Sequence, residues 1–151
     1  MPDRRFAIIV SRFNEVVTER LLAGARACFS DQGFSDSAIQ VYSVPGAWEL
    51  PVAALHAARS GVAGVVAIGC VVRGDTPHFD YVAGGAAEGL ARVSVETGVP
   101  VAFGVLTTED MDQALDRAGG KSGNKGYEAA LTVLEMADLI GRMREERAST
   151  Q

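Results

Sequence analysis

The fold of this chain is decided by one stretch, Val65-Val66-Ala67-Ile68-Gly69-Cys70-Val71-Val72, which holds no charged or strongly polar side chain. A continuous run of this kind, rich in β-branched residues, is typical of a strand that is buried on both faces of a parallel sheet. The polar segment after it starts at Arg73 and contains His78, one of only two histidines. Because ligands of parallel sheets bind beyond the carboxyl ends of the strands, this segment is the first candidate for a functional site.

The rest of the chain alternates between strand and helix patterns. Strands are predicted over residues 6–10, 39–44, 65–72 and 101–106, and helices over residues 16–29, 49–60, 80–97, 108–118 and 126–144. This alternation predicts right-handed crossovers and a parallel sheet with helices on both faces. The predicted fold class is therefore α/β, a three-layer αβα sandwich with a four-stranded parallel sheet.

Length, charge and cysteine content limit the possible classes of protein. The 151 residues are predicted to form one domain, residues 1–151, with a frayed tail over residues 145–151. A net charge of -5 without a basic cluster argues against nucleic acid, and no window is long and apolar enough to span a membrane. Cys28 and Cys70 lie in apolar segments without metal-ligand spacing, which favours buried reduced thiols in a soluble cytoplasmic protein.

Four loops follow the predicted strands, and all four should meet at one edge of the sheet. Besides the His78 segment, they contain Phe13 with Asn14, Trp48 with Glu49, and residues 103–108. Aromatic rings can stack on a planar ligand, and a carboxylate can accept hydrogen bonds from hydroxyls. Each residue alone also has a structural explanation: a helix start for His78 and Glu49, and core packing for Trp48.

The only cationic loop is glycine-rich and covers residues 117–126. It is not a P-loop, because the first glycine position of that motif is Leu115 and the segment joins two helices. No Gly-x-Gly-x-x-Gly fingerprint follows any predicted strand either. Two interpretations remain open: Arg117, Lys121 and Lys125 bind a phosphate, or the loop is an ordinary solvated connection.

Five segments together resemble the signature segments of the lumazine synthase family. They are Arg12-Phe13-Asn14, VPGAWELP at 44–51, GCVVRGDTPHFDYV at 69–82, FGVLTT at 103–108 and RAGGKSGNKG at 117–126. The resemblance implies a flavodoxin-like fold and the transferase activity of 6,7-dimethyl-8-ribityllumazine synthases. In riboflavin biosynthesis these enzymes condense 5-amino-6-(D-ribitylamino)uracil with 3,4-dihydroxy-2-butanone 4-phosphate, releasing phosphate and water in the penultimate step. It implies no cofactor and no metal.

The resemblance assigns the pyrimidinedione substrate to the first two of these segments. It implies that Phe13 stacks on the ring and that Asn14, with the backbone around Ala47 and Trp48, helps to seat it. Glu49 is expected to accept hydrogen bonds from the hydroxyls of the ribityl chain.

The third segment is expected to combine ring recognition, phosphate binding and proton transfer. By resemblance, Val71 and Val72 supply backbone hydrogen bonds to the ring. The backbone amides of Asp75 and Thr76, opening the next helix, hold the phosphate, with the Asp75 side chain turned away as a cap. His78 matches the family's proton-transfer residue.

The family resemblance also implies an assembly of subunits. The site is expected between neighbours of a homopentamer, with Phe103, Arg117 and Lys125 contributed across the boundary. The short turn over residues 119–125 favours pentamers that assemble further into an icosahedral shell. Riboflavin synthase is the expected functional partner.

Two features of the sequence point to subunit contacts independently. Three glycines, Gly84, Gly85 and Gly89, lie in one predicted helix, where they are costly unless another helix approaches closely. The last predicted helix is apolar on more than one face and so needs more cover than one sheet provides. Its apolar residues are Leu131, Val133, Leu134, Met136, Leu139, Ile140 and Met143.

A second class of protein fits part of the pattern. A non-catalytic flavodoxin-like protein that holds a flavin or lumazine would keep the fold, Phe13 and Trp48. It would have no need of His78 together with Arg117, so the presence of both favours an enzyme.

Overall fold

The computed structural model describes residues 4–150, in which six strands and five helices follow one another. In chain order they are β1 (Phe6–Ser11), α1 (Glu15–Asp31), β2 (Ile39–Val44), α2 (Leu50–Ala58), β3 (Gly64–Val72), α3 (His78–Thr97), β4 (Val101–Thr108), α4 (Met111–Asp116), β5 (Ala118–Gly120), β6 (Gly123–Asn124) and α5 (Lys125–Ser149). Short 3-10 turns lie at Asp36–Ala38 and Ala47–Glu49.

The main sheet has four parallel strands in the order β2-β1-β3-β4. Side chains alternate between its two faces, and both faces are covered. Phe6, Ile8 and Val10 of β1 pack with α1 and α5, whereas Ala7 and Ile9 pack with α2 and α3. The predicted three-layer αβα sandwich with a four-stranded parallel sheet is therefore confirmed.

Several element ends differ from the predicted ones, among them those of the helix predicted over residues 108–118, which is shortened to α4 at Met111–Asp116 because Thr108 belongs to β4 and Ala118 to β5. β4 continues through Thr107 and Thr108, because these β-branched residues pair with the end of β3. α3 begins two residues earlier, at His78 and directly after Pro77. α5 extends to Ser149, so most of the tail predicted to fray is helical, consistent with the high helix propensity of its Glu, Arg and Ala residues. Gln151 lies outside the described residues.

The glycine-rich segment, predicted as a turn between helices, contains the small antiparallel pair β5–β6. Gly119 and Gly123 have φ of 106° and 83°, values that glycine adopts without strain. The Asn124 side chain accepts hydrogen bonds from the backbone N–H groups of Gly126 and Tyr127, which caps α5. Its amide also donates to the Arg20 carbonyl at 3.1 Å, so the same residue ties α5 to α1.

Two of the three α3 glycines are explained by close packing within the subunit, contrary to the prediction that all three serve contacts between subunits. A Cβ on Gly85 would overlap the Trp48 ring, and one on Gly89 would lie 2.6 Å from Pro51. Gly84 has no heavy atom within 4 Å of the place of a Cβ. Of these three glycines, Gly84 alone has no packing role among the described residues.

The last helix buries part of its apolar surface within the subunit and leaves part uncovered. Val133 and Leu134 are buried, whereas Leu131, Met136 and Met143 are exposed. Among the described residues, no helix is long and apolar enough to cross a membrane.

Candidate active site

The loop between β1 and α1 is held beside the loop between β2 and α2. Past the end of the strands, the backbone N–H of Arg12 donates to the Val44 carbonyl at 2.9 Å, and that of Phe13 donates to the Pro45 carbonyl at 3.1 Å. These two bonds extend the β1–β2 ladder into the loops. The Phe13 ring, 70% exposed, therefore stands next to the turn that carries Trp48.

Asn14 has a left-handed backbone conformation, which asparagine adopts more readily than other non-glycine residues do. With φ of 62° and ψ of 50°, it is the only non-glycine residue of the described chain with a positive φ. Its side-chain amide donates to the Cys70 carbonyl at 2.9 Å. Left-handed backbone at a non-glycine residue is costly and tends to occur at functional sites. Asn14 thus holds the Phe13 loop against the end of β3 and does not line the cleft described below.

Trp48 and Glu49 lie on the 3-10 turn that precedes α2. Trp48 is 60% exposed on one side, while the edge of its ring rests on α3 at Gly85. The backbone N–H of Glu49 donates to the Gly46 carbonyl at 3.2 Å, and this turn brings the carboxylate back over Gly46. The aromatic face and the carboxylate therefore face the same space beyond the strands.

β3 extends past the end of its neighbour β1. The β1–β3 pairing stops at Val10 and Ile68, whereas the β3–β4 pairing continues to Val72 and Thr108. On the side that faces β1, the backbone of residues 69–72 has no strand partner. Among the described contacts on that side, only the Cys70 carbonyl is hydrogen-bonded, by the Asn14 side chain. Polar groups left free at a strand end are available to a ligand. The hydrogen bonds expected from the backbone of Val71 and Val72 to a ring stay a prediction, and Val71 also pairs with Thr107 of β4.

The loop between β3 and α3 differs from its predicted form. Asp75 and Thr76 do not open the helix, because Pro77 follows them and α3 starts at His78. The side chain of Asp75 makes no cap hydrogen bond and is not among the cleft-lining residues. Thr76 and His78 do face the cleft, and both are exposed. The free amides of this region are therefore those of the loop together with the first turn of α3.

These loops surround a cleft of about 770 Å³, called here the aromatic cleft. Its lining residues are Phe13, Pro45, Gly46, Ala47, Trp48, Glu49, Cys70, Val71, Val72, Gly74, Thr76, His78, Phe79, Tyr81 and Val82. Most of its lining is apolar, so a flat ring fits its chemistry better than a phosphate does. Burial raises the pKa of the Cys70 thiol to about 11, which keeps this thiol protonated and a weak nucleophile.

Tyr81 is a lining residue that the sequence reasoning missed. Its side chain is 73% exposed, and it lies three residues after His78 on the first turns of α3. Residues three apart share a helix face, so the position of His78 itself was the signal that pointed to Tyr81. Phe79 was missed as well, although it is half-buried between the loop and the cleft.

A second cleft, of about 400 Å³, lies beyond the edge strand β4 and is called here the cationic cleft. It is lined by Phe103, Val105, Leu106, Thr107, Thr108, Arg117, Ser122, Lys125 and Glu128. The β5–β6 pair joins Ala118 to Asn124 and so brings the preceding Arg117 next to the following Lys125. The backbone N–H of Lys125 donates to the Arg117 carbonyl at 2.8 Å.

Charge makes the cationic cleft suited to an anion. Arg117 and Lys125 both line it, and Lys125 is the first residue of the 25-residue helix α5, whose amino end carries positive partial charge. Glu128 is the one acidic residue among those that line it. Lys121, the third cation considered for phosphate binding, does not line it.

Apart from Asn14 and Asp75, which line neither, the predicted site residues are thus divided between two clefts that have no residue in common. Ring-stacking groups and His78 belong to one, and the cations Arg117 and Lys125 to the other. An aromatic slot with a histidine, at the carboxyl edge of a parallel sheet, is typical of an α/β enzyme that acts on a planar substrate.

The family follows from comparison with known proteins. A family model described as 6,7-dimethyl-8-ribityllumazine synthase matches residues 3–141. The chain is 50% identical to the protein of that name from Chlorobium luteolum, over 93% of this chain and 92% of the relative. It is 52% identical to that of Chlorobium phaeobacteroides, over 89% of this chain and 88% of the relative. The chain belongs to the 6,7-dimethyl-8-ribityllumazine synthase family, the transferases of riboflavin biosynthesis. The resemblance drawn from the five segments is confirmed.

Proposed function

We propose that the aromatic cleft of one subunit and the cationic cleft of its neighbour together form one active site. In it the chain condenses 5-amino-6-(D-ribitylamino)uracil with 3,4-dihydroxy-2-butanone 4-phosphate. The observation that carries this proposal is the separation of the two clefts, since the reaction needs an aromatic seat, a proton carrier and a phosphate site within reach of one another. A head-to-tail ring of subunits would bring the two clefts together at every boundary.

The pyrimidinedione substrate is assigned to the aromatic cleft. Phe13 stacks on its ring, and backbone groups at Val71 and Val72, where β3 extends beyond its pairing with β1, bond its polar edge. The backbone at Ala47 and Trp48 closes the other side of the cleft. Glu49 accepts hydrogen bonds from the ribityl hydroxyls, because a carboxylate has acceptors only. Asn14 contributes by fixing the Phe13 loop.

The phosphate of the second substrate is assigned to the boundary between the clefts. The amides around Asp75 and Thr76 and of the first turn of α3 approach it from one subunit. From the neighbour, Arg117 can bind two phosphate oxygens at once, and Lys125 adds a point charge. Phe103, exposed at the rim of the cationic cleft, covers the pyrimidinedione from the neighbour's side.

The reaction consists of proton transfers around bound reactants. The amine of the pyrimidinedione attacks the ketone and water leaves to give an imine, phosphate is eliminated, and the enol rearranges before ring closure releases a second water. A histidine can act both as acid and as base near neutral pH, which is the role proposed for His78. Holding the two substrates together contributes roughly 7 to 11 kcal/mol, whereas one general acid-base group contributes about 100- to 10,000-fold in rate.

The assembly is proposed to be a homopentamer of single-domain subunits, and the short β5–β6 segment favours further assembly into an icosahedral shell. Exposed Leu131, Met136 and Met143 on α5 support subunit contacts. The two buried free cysteines support a reducing, cytoplasmic location. Riboflavin synthase, whose chemistry consumes the product, is the proposed functional partner.

An optical assay tests the reaction directly. The purified protein is mixed with both substrates, and lumazine absorbance and fluorescence are followed against the uncatalysed rate. Product formation well above that rate is expected with the native protein and not with heat-denatured protein. Equal rates with and without the protein would contradict the activity and leave a protein that only binds the ring.

A further inference from the structure

Arg73 lies at the junction of three segments of the chain, although it has no part in the substrate contacts proposed above. It is the first residue after β3, and its side chain is half exposed. Its Nε donates to Glu109 Oε2 at 2.6 Å, and its Nη1 lies 3.6 Å from Asp80 Oδ1. Its guanidinium carbon is 4.4 Å from the centre of the Phe79 ring, within the range of a cation–π contact.

These contacts of Arg73 hold the loop of residues 74–77, which makes few contacts itself. The Arg73 backbone N–H donates to the Thr108 carbonyl at 2.8 Å, which prolongs the β3–β4 ladder by one step. In residues 74–77 no side-chain hydrogen bond occurs among the described contacts, and all four residues are exposed. The position of Thr76 and His78 therefore depends on how the two ends of the loop are held, and Arg73 holds both ends.

Glu109 links Arg73 to residues of the cationic cleft. Its backbone N–H donates to Gln113 Oε1 at 2.9 Å. The carbonyl of Gln113 in turn accepts a hydrogen bond from Arg117 Nη1 at 3.2 Å. A continuous set of contacts thus links the His78 loop, through Arg73 and Glu109, to the guanidinium of Arg117.

We propose that Arg73 is a positioning residue that sets the His78 loop in the aromatic cleft and, through Glu109, the Arg117 side chain in the cationic cleft. The inference rests on the proposed function of the two clefts. It extends that function, because in a ring of subunits the two clefts of one chain serve two different active sites. A change at Arg73 therefore alters His78 in one site and Arg117 in the next.

The alternative is that Arg73 forms ordinary surface ion pairs. Exposed pairs of this kind contribute little to stability, so thermal melting does not distinguish the two explanations well. The reaction rate does distinguish the two explanations, because it depends on the position of the reacting groups. A misplaced reacting group costs rate even when the fold is intact, and a displacement of about 1 Å can cost on the order of 100-fold.

The test compares Arg73→Ala, Arg73→Lys and Glu109→Gln with the control Arg92→Ala. Arg92 pairs with Glu88 at 3.5 Å on the exposed face of the same helix α3 and touches neither cleft. For each variant, kcat and KM are measured with both substrates, together with the fluorescence of Trp48, which is the only tryptophan and lines the aromatic cleft.

Arg73→Ala is expected to lower kcat/KM by about tenfold or more and to shift the Trp48 emission, with an unchanged melting temperature. Glu109→Gln is expected to have a smaller effect on rate together with a raised KM for the phosphate substrate. Arg73→Lys should recover part of the rate, since it keeps the charge and loses the fork geometry. Arg73→Ala combined with Glu109→Ala should be no slower than Arg73→Ala alone, because both changes break one set of contacts.

Kinetics of Arg73→Ala equal to those of Arg92→Ala would overturn the inference. If Arg73→Ala does not fold, Glu109→Gln and Arg73→Lys decide, and wild-type constants in both would equally overturn it. A wild-type protein that forms no lumazine would contradict the proposed function instead, and this outcome is read from the wild-type assay alone.

Discussion

The aromatic cleft lies at the carboxyl ends of β1, β2 and β3, whereas the cationic cleft lies beyond the edge strand β4, and the two differ in size, chemistry and origin. The first, about 770 Å³, is built from the loops after β1, β2 and β3, and is mainly apolar. The second, about 400 Å³, is built from the edge strand β4 and the β5–β6 segment, and contains the basic pair Arg117 and Lys125. Neither holds the groups for both substrates. Under the proposed function each cleft is one half of an active site, so catalysis would depend on how chains meet.

The largest effect is expected from the proton carrier of the aromatic cleft. His78→Ala should slow turnover by about 100-fold or more, yet leave a measurable reaction, because bound substrates keep the advantage of proximity. Steady-state kinetics by lumazine absorbance measure it. The chain provides a matched control in its other histidine, His56, which is exposed on α2 outside both clefts. Equal rates for the His78→Ala and His56→Ala variants would remove His78 from the chemistry.

The cationic cleft should respond through the phosphate substrate alone. Arg117→Ala loses a charge-assisted contact of about 1.5 to 3 kcal/mol, which corresponds to about a ten- to hundredfold rise in the KM for the butanone phosphate. Arg117→Lys should recover part of this loss. Lys121→Ala, in the same hairpin but outside the cleft, should leave KM unchanged. An equally large rise in the KM for the pyrimidinedione would contradict the assignment of the two substrates to different clefts.

Packing beneath the aromatic cleft provides a third comparison, between two adjacent glycines of α3. Gly85→Ala places a methyl group on the Trp48 ring and should destabilise the protein by about 1 to 3 kcal/mol while shifting Trp48 fluorescence. Gly84→Ala meets open space in the subunit and should stabilise the helix by about 0.5 to 1 kcal/mol. Chemical denaturation measures both. Equal effects would show that Trp48 does not rest on Gly85.

The smallest expected effect concerns the stacking face of the aromatic cleft. Phe13→Ala should weaken binding of a ribityl pyrimidine analogue by about 1 kcal/mol, or about fivefold, as measured by calorimetric titration. Tyr42→Ala, which removes an exposed aromatic side chain of β2 outside both clefts, is the control. Unchanged affinity in a correctly assembled Phe13→Ala variant would exclude stacking by this ring.

Much of the fold was predictable because its signals are local. The run over residues 65–72 indicated a buried strand, and the alternation around it predicted the three-layer architecture. Element ends were less predictable, since they depend on contacts distant in sequence. β4 continues to Thr108 because β3 extends far enough to pair with it. The β5–β6 pair depends on the positive φ of Gly119 and Gly123, which the presence of glycines in the sequence does not predict.

The site was predictable as a set of residues but not as an arrangement. Nothing in the alternation of strands and helices gives the order β2-β1-β3-β4, and this order places Phe103 at the far edge of the sheet from Trp48. Asn14 was expected to seat the substrate, whereas its side chain bonds the Cys70 carbonyl. That contact joins residues 56 apart, so sequence reasoning had no signal for it.

Complementation between two impaired variants tests the shared site most directly. Arg117→Ala protein has an intact aromatic cleft, and a Phe13→Ala/His78→Ala double variant has an intact cationic cleft. When equal amounts are dissociated and reassembled, about a quarter of the boundaries should join two intact halves, so activity should rise well above that of either variant alone. Mixed oligomers confirmed by native mass spectrometry, with no gain in activity, would contradict the account that one active site is built from two subunits.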